Sequence, residues 1–259
     1  MSCYNLNKQE KKELNKIIKT YYIQPTLSRI DKFVDSSKDK KEVWKLVFNE
    51  LFNIITNAHK EVDLILDERI KRGEITNKQQ ASKTVVGNTF PFAVIYIFLH
   101  NKIIGNIKDN IYITSELSKI NGFEDVATIK IGEETQKPDC DLVIYSVSDD
   151  NKLANCLILS LKTSLRERAA QTYKWKLLME IAISDDCSVK DKYDIVYNAK
   201  ILPKICFATI NFYNEINNPQ QRGMLKFFDK SFIAKNVNQN LPTFISPMSN
   251  LIDFVNDVF

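Results

Sequence analysis

The chain has 259 residues, of which 44% are apolar, and its formal net charge is only +4. It is long enough to bury one large core, and its small charge excludes a polycation that binds nucleic acid over its whole surface. A nucleic-acid surface would have to come from local clusters of lysine and arginine. The N-terminus lacks the apolar core of a signal peptide, and the five cysteines form no C-x-x-C pair, so we expect reduced thiols in a cytoplasmic protein.

Several common site types have no sequence signal. Neither a G-x-G-x-x-G motif nor a phosphate-binding P-loop occurs, which argues against a nucleotide cofactor. The only histidines are His59 and His100, so we expect no zinc site and assign His100 to the end of a helix. The apolar run from Phe90 to Leu99 is about half of a membrane span, and Pro91 near its start suits the first turn of a helix. We therefore expect no membrane span.

The first 121 residues have helical periodicity, with apolar residues three and four positions apart. We expect a break near Gln24-Pro25, a stop at Gly73, and a cap at Asn88-Thr89 for the last helix. The predicted helices cover residues 7–20, Lys41 to Thr56, Lys60 to Arg72, and Asn88-Thr89 to about His100.

After Gly122 the pattern becomes that of a sheet. The predicted strands are residues 126–131, Leu142 to Val147, Leu153 to Leu161 and Lys204 to Phe212. Helices are predicted from Ser164 to Ser184 and from Ser249 to the C-terminus. We expect an α/β (α+β) protein with a central sheet flanked by helices, in which a helical region (1–121) and a sheet-bearing region (122–259) share one core.

Two predicted strands carry the candidate chemistry. Asp139 and Asp141 are two residues apart, so both carboxylates project from one face of an extended segment. Ser160 and Lys162 have the same spacing on the next strand, and neighbouring strands would bring Lys162 to the aspartates. Two carboxylates and a backbone carbonyl, such as that of Leu161, make a hard-oxygen site suited to Mg²⁺. A lysine beside it could orient a water molecule towards a phosphate.

This arrangement resembles a known signature. Pro138-Asp139, followed by Ser160-Leu161-Lys162, is similar to the active site of the PD-(D/E)XK nuclease superfamily, and residues 163–176 resemble the segment after the catalytic lysine in many type II restriction endonucleases. The resemblance implies a mixed sheet of the restriction-endonuclease type, with Asp139 as metal ligand and Lys162 as catalytic lysine. It also implies that an R-(D/E)-R arrangement, here Arg166, Glu167 and Arg168, contacts bases.

One position departs from the signature. Ser160 stands where the superfamily has Asp or Glu, so the metal site needs another acid. Asp141 is the nearest candidate by strand geometry. A glutamate from elsewhere remains an alternative, and the candidates are Glu61, Glu134 and Glu180.

The segment after Lys162 has its own physical rationale for binding DNA. Arginine can bond guanine O6 and N7 together, and a glutamate can accept from cytosine N4. We expect Gln171, Lys174 and Lys176 to join the DNA contacts, with the lysines on phosphates. An apolar stripe should pack this helix on the sheet, and Trp175 fits either the core or a DNA contact. The stripe comprises Leu165, Ala169, Tyr173, Leu177 and Ile181.

These observations favour a Mg²⁺-dependent type II restriction endonuclease that cuts double-stranded DNA at a short sequence. The resemblance implies that the cut ends carry a 5′-phosphate and a 3′-hydroxyl. A palindromic target would match a twofold homodimer, and a cognate DNA methyltransferase would act in the same system without a stable complex. Two alternatives remain open. One is a nicking or repair nuclease with low sequence specificity, and the other is a non-catalytic DNA-binding protein whose nuclease site has decayed.

Overall fold

The computed structural model describes residues 5–148, 150–163, 169–185, 187–211, 217–237 and 240–259. The chain forms two compact units. The first comprises residues 1–109, 233–240 and 247–258, and the second comprises 110–232, 241–246 and Phe259. The division at residue 122 that the sequence suggests stays a prediction about domain organisation.

The part of the chain from residue 8 to residue 103 is mainly helical, as predicted. The helices are α1 (Lys8–Lys19), α2 (Gln24–Asp35), α3 (Lys40–Leu46), α4 (Leu51–Lys71) and α5 (Lys78–Ile103). Helix α1 begins with a capping box, in which the side chain of Asn7 accepts from the Glu10 N–H and Glu10 accepts from the Asn7 N–H. The Glu10 carboxylate also lies 3.0 Å from Nζ of Lys102, and both side chains are fully buried, so this ion pair ties α1 to α5.

Three helix boundaries differ from the prediction. The helices predicted on either side of residue 58 are largely one continuous helix, α4, because buried Ala58 and Val62 continue its inner face. Helix α2 was not predicted, although it has Pro25 in its first turn, where a proline costs no hydrogen bond. Helix α5 starts eleven residues early, because the Asn77 side chain accepts from the Gln80 N–H and provides the cap.

Pro91 therefore lies inside α5 and not in its first turn. By length and composition alone α5 could cross a membrane, but more than half of its most apolar segment is buried inside the protein. Core helices pass the same test. Residues such as Val94, Ile97 and Phe98 have no exposed surface, which supports a core helix.

The rest of the chain alternates between strands and helices. In chain order the elements are β1 (Ile111–Thr114), α6 (Phe123–Ala127), β2 (Ile129–Ile131), β3 (Glu134–Gln136), β4 (Leu142–Val147), β5 (Leu153–Lys162), α7 (Ala169–Ile183), α8 (Cys187–Tyr193), β6 (Ile195–Val196), β7 (Lys204–Thr209), α9 (Pro219–Met224), β8 (Lys230–Ile233), β9 (Ile245–Pro247) and α10 (Leu251–Val258). The strand predicted for residues 126–131 is wrong in its first half, where Val126 and Ala127 are buried in α6.

Among the described residues, six strands form a sheet in the order β1-β4-β5-β7-β8-β9. Strands β1, β4 and β5 pair antiparallel, whereas β5 and β7 pair parallel, so the sheet is mixed. A smaller sheet has the order β3-β2-β6. The predicted α/β fold class, with a mixed sheet, flanking helices and a helical N-terminal part, is confirmed.

Helix α7 packs with a different face from the one predicted. Its buried side chains include Thr172, Trp175, Lys176 and Met179, which recur at helical spacing. Leu177, at the centre of the predicted packing stripe, is 38% exposed. The stripe prediction is therefore wrong at this position, because the four residues just named pack α7 inwards. Leu165 and the side chain of Ala169, which also belong to the predicted stripe, lie outside the described residues.

Candidate active site

The site lies where β4 begins and β5 ends. Leu142 pairs with Leu159 at the last rung of the antiparallel ladder, so Asp139 and Asp141 lie just before β4, beside the end of β5. On its other side β5 pairs in parallel with β7, and Lys162 is opposite the buried Thr209. The two strands are apolar on both faces along most of their length. The ammonium of Lys162 therefore lies at the strand end, where the polar side chains of Asp139 and Asp141 are found.

The structure brings Asp139, Asp141 and Lys162 together. Nζ of Lys162 is 2.8 Å from Oδ2 of Asp139 and 2.8 Å from Oδ2 of Asp141. The same Asp141 oxygen accepts the backbone N–H of Leu161 at 2.6 Å. Lys162 is only 7% exposed, whereas the side chains of Asp139 and Asp141 are 34% and 27% exposed. A nearly buried cation thus holds two acids that remain open to solvent.

Between the aspartates, Cys140 is half-buried. Its Sγ lies 3.5 Å from the Leu142 carbonyl oxygen. Burial, followed by the neighbouring charges that include Asp139 and Asp141, raises the pKa of the Cys140 thiol well above its ordinary value. Cys140 is therefore a neutral thiol and not a nucleophile, since the thiolate is the reactive form.

The donor set fits a hard cation. Asp139 and Asp141 offer carboxylate oxygens, and Mg²⁺ prefers few protein ligands with the rest supplied by water and substrate. Leu161 donates its backbone N–H to Asp141, which fixes the orientation of that carboxylate. Within the described residues no cluster of three or more His, Cys, Asp or Glu side chains forms a complete metal cage. The pair fits an open site completed by water and phosphate.

The alternative acids lie in other surroundings. Glu180 bonds Lys176 on its own helix at 3.2 Å, and Glu134 is exposed on β3. Glu61 pairs with Arg29 in the first unit. Since Thr172 is next to Ser160 and Glu180 is eight residues further along α7, Glu180 lies about 12 Å further along the helix axis. Among the described acids that the sequence proposed, Asp141 is the one that shares Lys162 with Asp139.

Ser160, which replaces the acid of the superfamily signature, is fully buried. Its Oγ accepts a hydrogen bond from the Thr172 hydroxyl of α7 at 3.3 Å. The serine therefore links the strand that carries Lys162 to the helix that follows it. A carboxylate at this position would need a partner in a buried place, which explains why a small neutral hydroxyl fits here.

The predicted DNA-binding residues fall into three groups. Arg166, Glu167 and Arg168 lie outside the described residues, as does the side chain of Gln171. Lys174 is exposed on α7. Lys176 is 7% exposed and lies 3.1 Å from Asp229 and 3.2 Å from Glu180, so its ammonium faces the protein and is not free for phosphate.

The aromatic residues of α7 have structural roles. Trp175 is buried, and its Nε1–H donates to the Gln136 carbonyl at 3.3 Å, which places it in the core and resolves the alternative left open by the sequence. Tyr173 is partly exposed and stacks on Phe227 with ring centroids 5.4 Å apart.

Two contacts that position the site were not predicted. Thr172 bonds Ser160, and Asp229 accepts both Lys176 and the Ile205 N–H, the latter at 2.8 Å. Asp229 directly precedes a strand, as Asp141 does, and this position is the only sequence signal that could have marked it. Together the two contacts fix α7 against β5 and β7.

Comparison with known proteins gives a family match. A search of curated proteins finds no match. The sequence model of the BsaWI restriction endonuclease type 2 family matches residues 116–254, which is more than half of the chain and includes Asp139, Asp141, Lys162 and all of α7. The mixed sheet and the helical N-terminal part are consistent with a restriction-endonuclease-like fold. The chain therefore belongs to the BsaWI family of type II restriction endonucleases.

Proposed function

We propose that this restriction endonuclease is Mg²⁺-dependent and hydrolyses both strands of double-stranded DNA at a short specific sequence, leaving 5′-phosphate ends. The observation that carries the proposal is the convergence of Lys162 on Asp139 and Asp141 at 2.8 Å each, inside the segment that matches the family. A buried lysine against two solvent-open acids is a charge arrangement expected at a catalytic centre.

Asp139 and Asp141 would hold the metal ion, with the Leu161 carbonyl as a further ligand. When bound there, Mg²⁺ would neutralise the negative charge that develops on the phosphate. Lys162 has three N–H donors, so its ammonium can keep one aspartate bond and turn another N–H towards the attacking water or a phosphate oxygen. The bond from the Leu161 N–H keeps Asp141 oriented while Lys162 makes this contact.

Recognition of the sequence would come from the segment before and along α7. Arg166 and Arg168 would read guanines, Glu167 would accept from cytosine or orient the arginines, and Gln171 and Lys174 would add contacts. Lys176 is not among these DNA-contacting residues, because it is buried and paired with Asp229. The enzyme would act as a homodimer on a palindrome, and a separate methyltransferase would protect the host DNA.

Incubation of the protein with plasmid DNA and Mg²⁺, with chelator as control, tests the proposal. Discrete fragments that appear only with Mg²⁺ are expected. Nicks or a smear would favour a nuclease with low specificity, and DNA binding without cleavage would favour a decayed site. Binding without cleavage is a meaningful outcome because Ser160 replaces one acid of the nuclease signature.

Substitution of single acids identifies the metal ligands. Asp139→Asn and Asp141→Asn should each abolish cleavage and weaken Mg²⁺ binding measured by calorimetry. Glu180→Gln and Glu134→Gln serve as matched controls and should retain both properties. Loss of Mg²⁺ binding in Glu180→Gln with retention in Asp141→Asn would show that the glutamate, and not Asp141, supplies the second carboxylate.

A further inference from the structure

The outer face of helix α1 carries only positive charge. The 12 residues of the helix include five lysines and two glutamates, a net charge of +3 in a chain whose total is +4. At about 100° per residue, the five lysines fall within an arc of about 140° on one side of the helix. They are all exposed, and they are Lys8, Lys11, Lys12, Lys16 and Lys19.

The two glutamates of α1 lie on the opposite side of the helix. Glu10 is fully buried and lies 3.0 Å from Nζ of the equally buried Lys102 on α5, which balances its charge. Glu13 is 2% exposed. The sequence mixes lysines and glutamates along α1, but the fold separates them, because both acids turn towards the core. The charged groups that α1 presents to solvent are therefore its lysines.

These lysines have few counter-charges nearby. No acidic group lies within 4.0 Å of four of them in the part of the chain that the structure describes. The four are Lys8, Lys11, Lys16 and Lys19. On α4, by contrast, Arg69 lies 2.9 Å from Glu74 and Arg72 lies 3.5 Å from Glu68. The positive charge of α1 is thus left for an external anion, whereas that of α4 is largely balanced within the protein.

Duplex DNA fits this face better than a membrane does. A helix that lies in a membrane interface needs a free apolar face, but Leu14 and Ile17 are 8% and 1% exposed, and within α1 only Ile18 is an exposed apolar residue. DNA requires only cations, since it carries one negative charge per about 1.7 Å of its axis. The row from Lys8 to Lys19 is about 17 Å long and matches about ten such charges.

We infer that the outer face of α1 is a second DNA-binding surface, which binds phosphates of the duplex without reading its bases. This inference rests on the proposed function only in that duplex DNA is taken as the ligand. Lysine suits phosphates because its ammonium is a point charge, whereas the planar fork of arginine suits base edges, and α1 contains no arginine. Contacts of this kind add affinity for any sequence and let a protein move along DNA while it stays bound.

The salt dependence of DNA binding tests the surface without cleavage. Fluorescence anisotropy measures the binding constant of a long duplex of random sequence, in the absence of Mg²⁺ and at several NaCl concentrations. The logarithm of this constant falls with the logarithm of the salt concentration by about 0.9 for each phosphate contact. A variant with four glutamines should have a slope smaller by about 2–4 and bind about tenfold or more weakly at about 0.1 M salt. Its substitutions are Lys8→Gln, Lys11→Gln, Lys16→Gln and Lys19→Gln.

Two further variants separate charge from fold and from net charge. Arginine at the same four positions keeps the charge and should keep the slope of the wild type. A matched set of four glutamines on α2, α3 and α4 lowers the net charge equally and should bind as the wild type does, because each replaced lysine lies within three positions of an exposed acid. The replaced residues are Lys32, Lys40, Lys60 and Lys71. Circular dichroism verifies that each variant is folded.

The possible outcomes are distinct. An unchanged slope in the folded α1 glutamine variant would overturn the inference, and so would an equal loss in the matched set. Loss of binding to vesicles of phosphatidylserine and phosphatidylcholine, with DNA binding unaffected, would also overturn it and assign the face to a membrane. The expected loss of slope, equal on a second duplex of unrelated sequence, would support it. That result would stand even in a protein that never cuts DNA, which would count against the proposed function alone.

Discussion

Two lysines of the second unit offer a controlled test of the catalytic assignment. Lys162 and Lys176 are each 7% exposed, and each lies within about 3 Å of two carboxylates. Lys162 holds Asp139 and Asp141, whereas Lys176 holds acids outside the candidate site. Replacement by methionine keeps an unbranched side chain that is one heavy atom shorter, and it removes the ammonium group with its charge and N–H donors. The two variants should therefore differ in activity far more than in stability.

The magnitude follows from the burial of the partners. Removal of one member of a fully buried ion pair costs about 3–5 kcal/mol. Here the acids are between 19% and 49% exposed, so water compensates part of the loss, and we expect about 1–3 kcal/mol for each variant. For cleavage, loss of a preorganised charge at the reacting group typically lowers kcat by about 100- to 1,000-fold. Only Lys162→Met should show this loss.

Urea unfolding followed by circular dichroism gives the free energy of unfolding, and single-turnover cleavage of an oligonucleotide duplex gives the rate. Lys162→Met should bind the duplex with the affinity of the wild type in the absence of Mg²⁺ while failing to cut it. Lys176→Met should cut at a rate within a few-fold of the wild type. Equal losses of cleavage in both variants at equal stability would refute the assignment, as would unchanged cutting by Lys162→Met.

Three further predictions concern other parts of the chain. Arg166→Ala or Arg168→Ala should reduce discrimination against altered target sites by about 1–3 kcal/mol, measured as the ratio of binding constants for cognate and altered duplexes, and equal loss on all duplexes would point to phosphate contacts instead. Lys102→Met should lower the free energy of unfolding by about 3–5 kcal/mol, because it leaves the buried Glu10 carboxylate without its cation. Adding Glu10→Gln should recover part of this loss, and a double variant no more stable than Lys102→Met would contradict this account. Burial lowers the pKa of His100 from 6.5 to about 4. As the pH falls, the unfolded chain therefore binds a proton at His100 before the folded protein does. The free energy of unfolding should keep its full value above pH 6.5 and decrease towards pH 4 by at most about 3 kcal/mol. His100→Phe, which can still stack on a neighbouring ring, should flatten that pH dependence, and an unchanged slope in urea unfolding would exclude His100 as its source.

The sheet could be predicted from sequence because its strands are simple. Leu142 to Val147 and Leu153 to Leu161 are apolar runs of strand length separated by a polar turn, and both match β4 and β5 to within one residue. The convergence of Lys162 with Asp139 and Asp141 follows from that pairing and the two-residue period of a strand. The pairing of two neighbouring antiparallel strands fixes the positions of these three side chains relative to one another.

Helix boundaries and packing faces were harder to predict, for physical reasons. The cap at Asn77 depends on one side-chain hydrogen bond, and the polar turns that follow it resemble a loop in sequence. The inward face of α7 is held by Thr172, Trp175 and Lys176, whose polar groups are buried because tertiary partners satisfy them. Such partners, Ser160 and Asp229 among them, come from distant parts of the chain, and no local pattern shows them.

The most direct test of the central claim is to sequence the ends of fragments produced from a long DNA molecule in the presence of Mg²⁺. The account predicts that every end carries a 5′-phosphate and lies at a fixed position in one short palindromic sequence. It also predicts that Lys162→Met yields no such ends. Ends scattered without a common sequence, or a defined set of ends that Lys162→Met still produces, would contradict it.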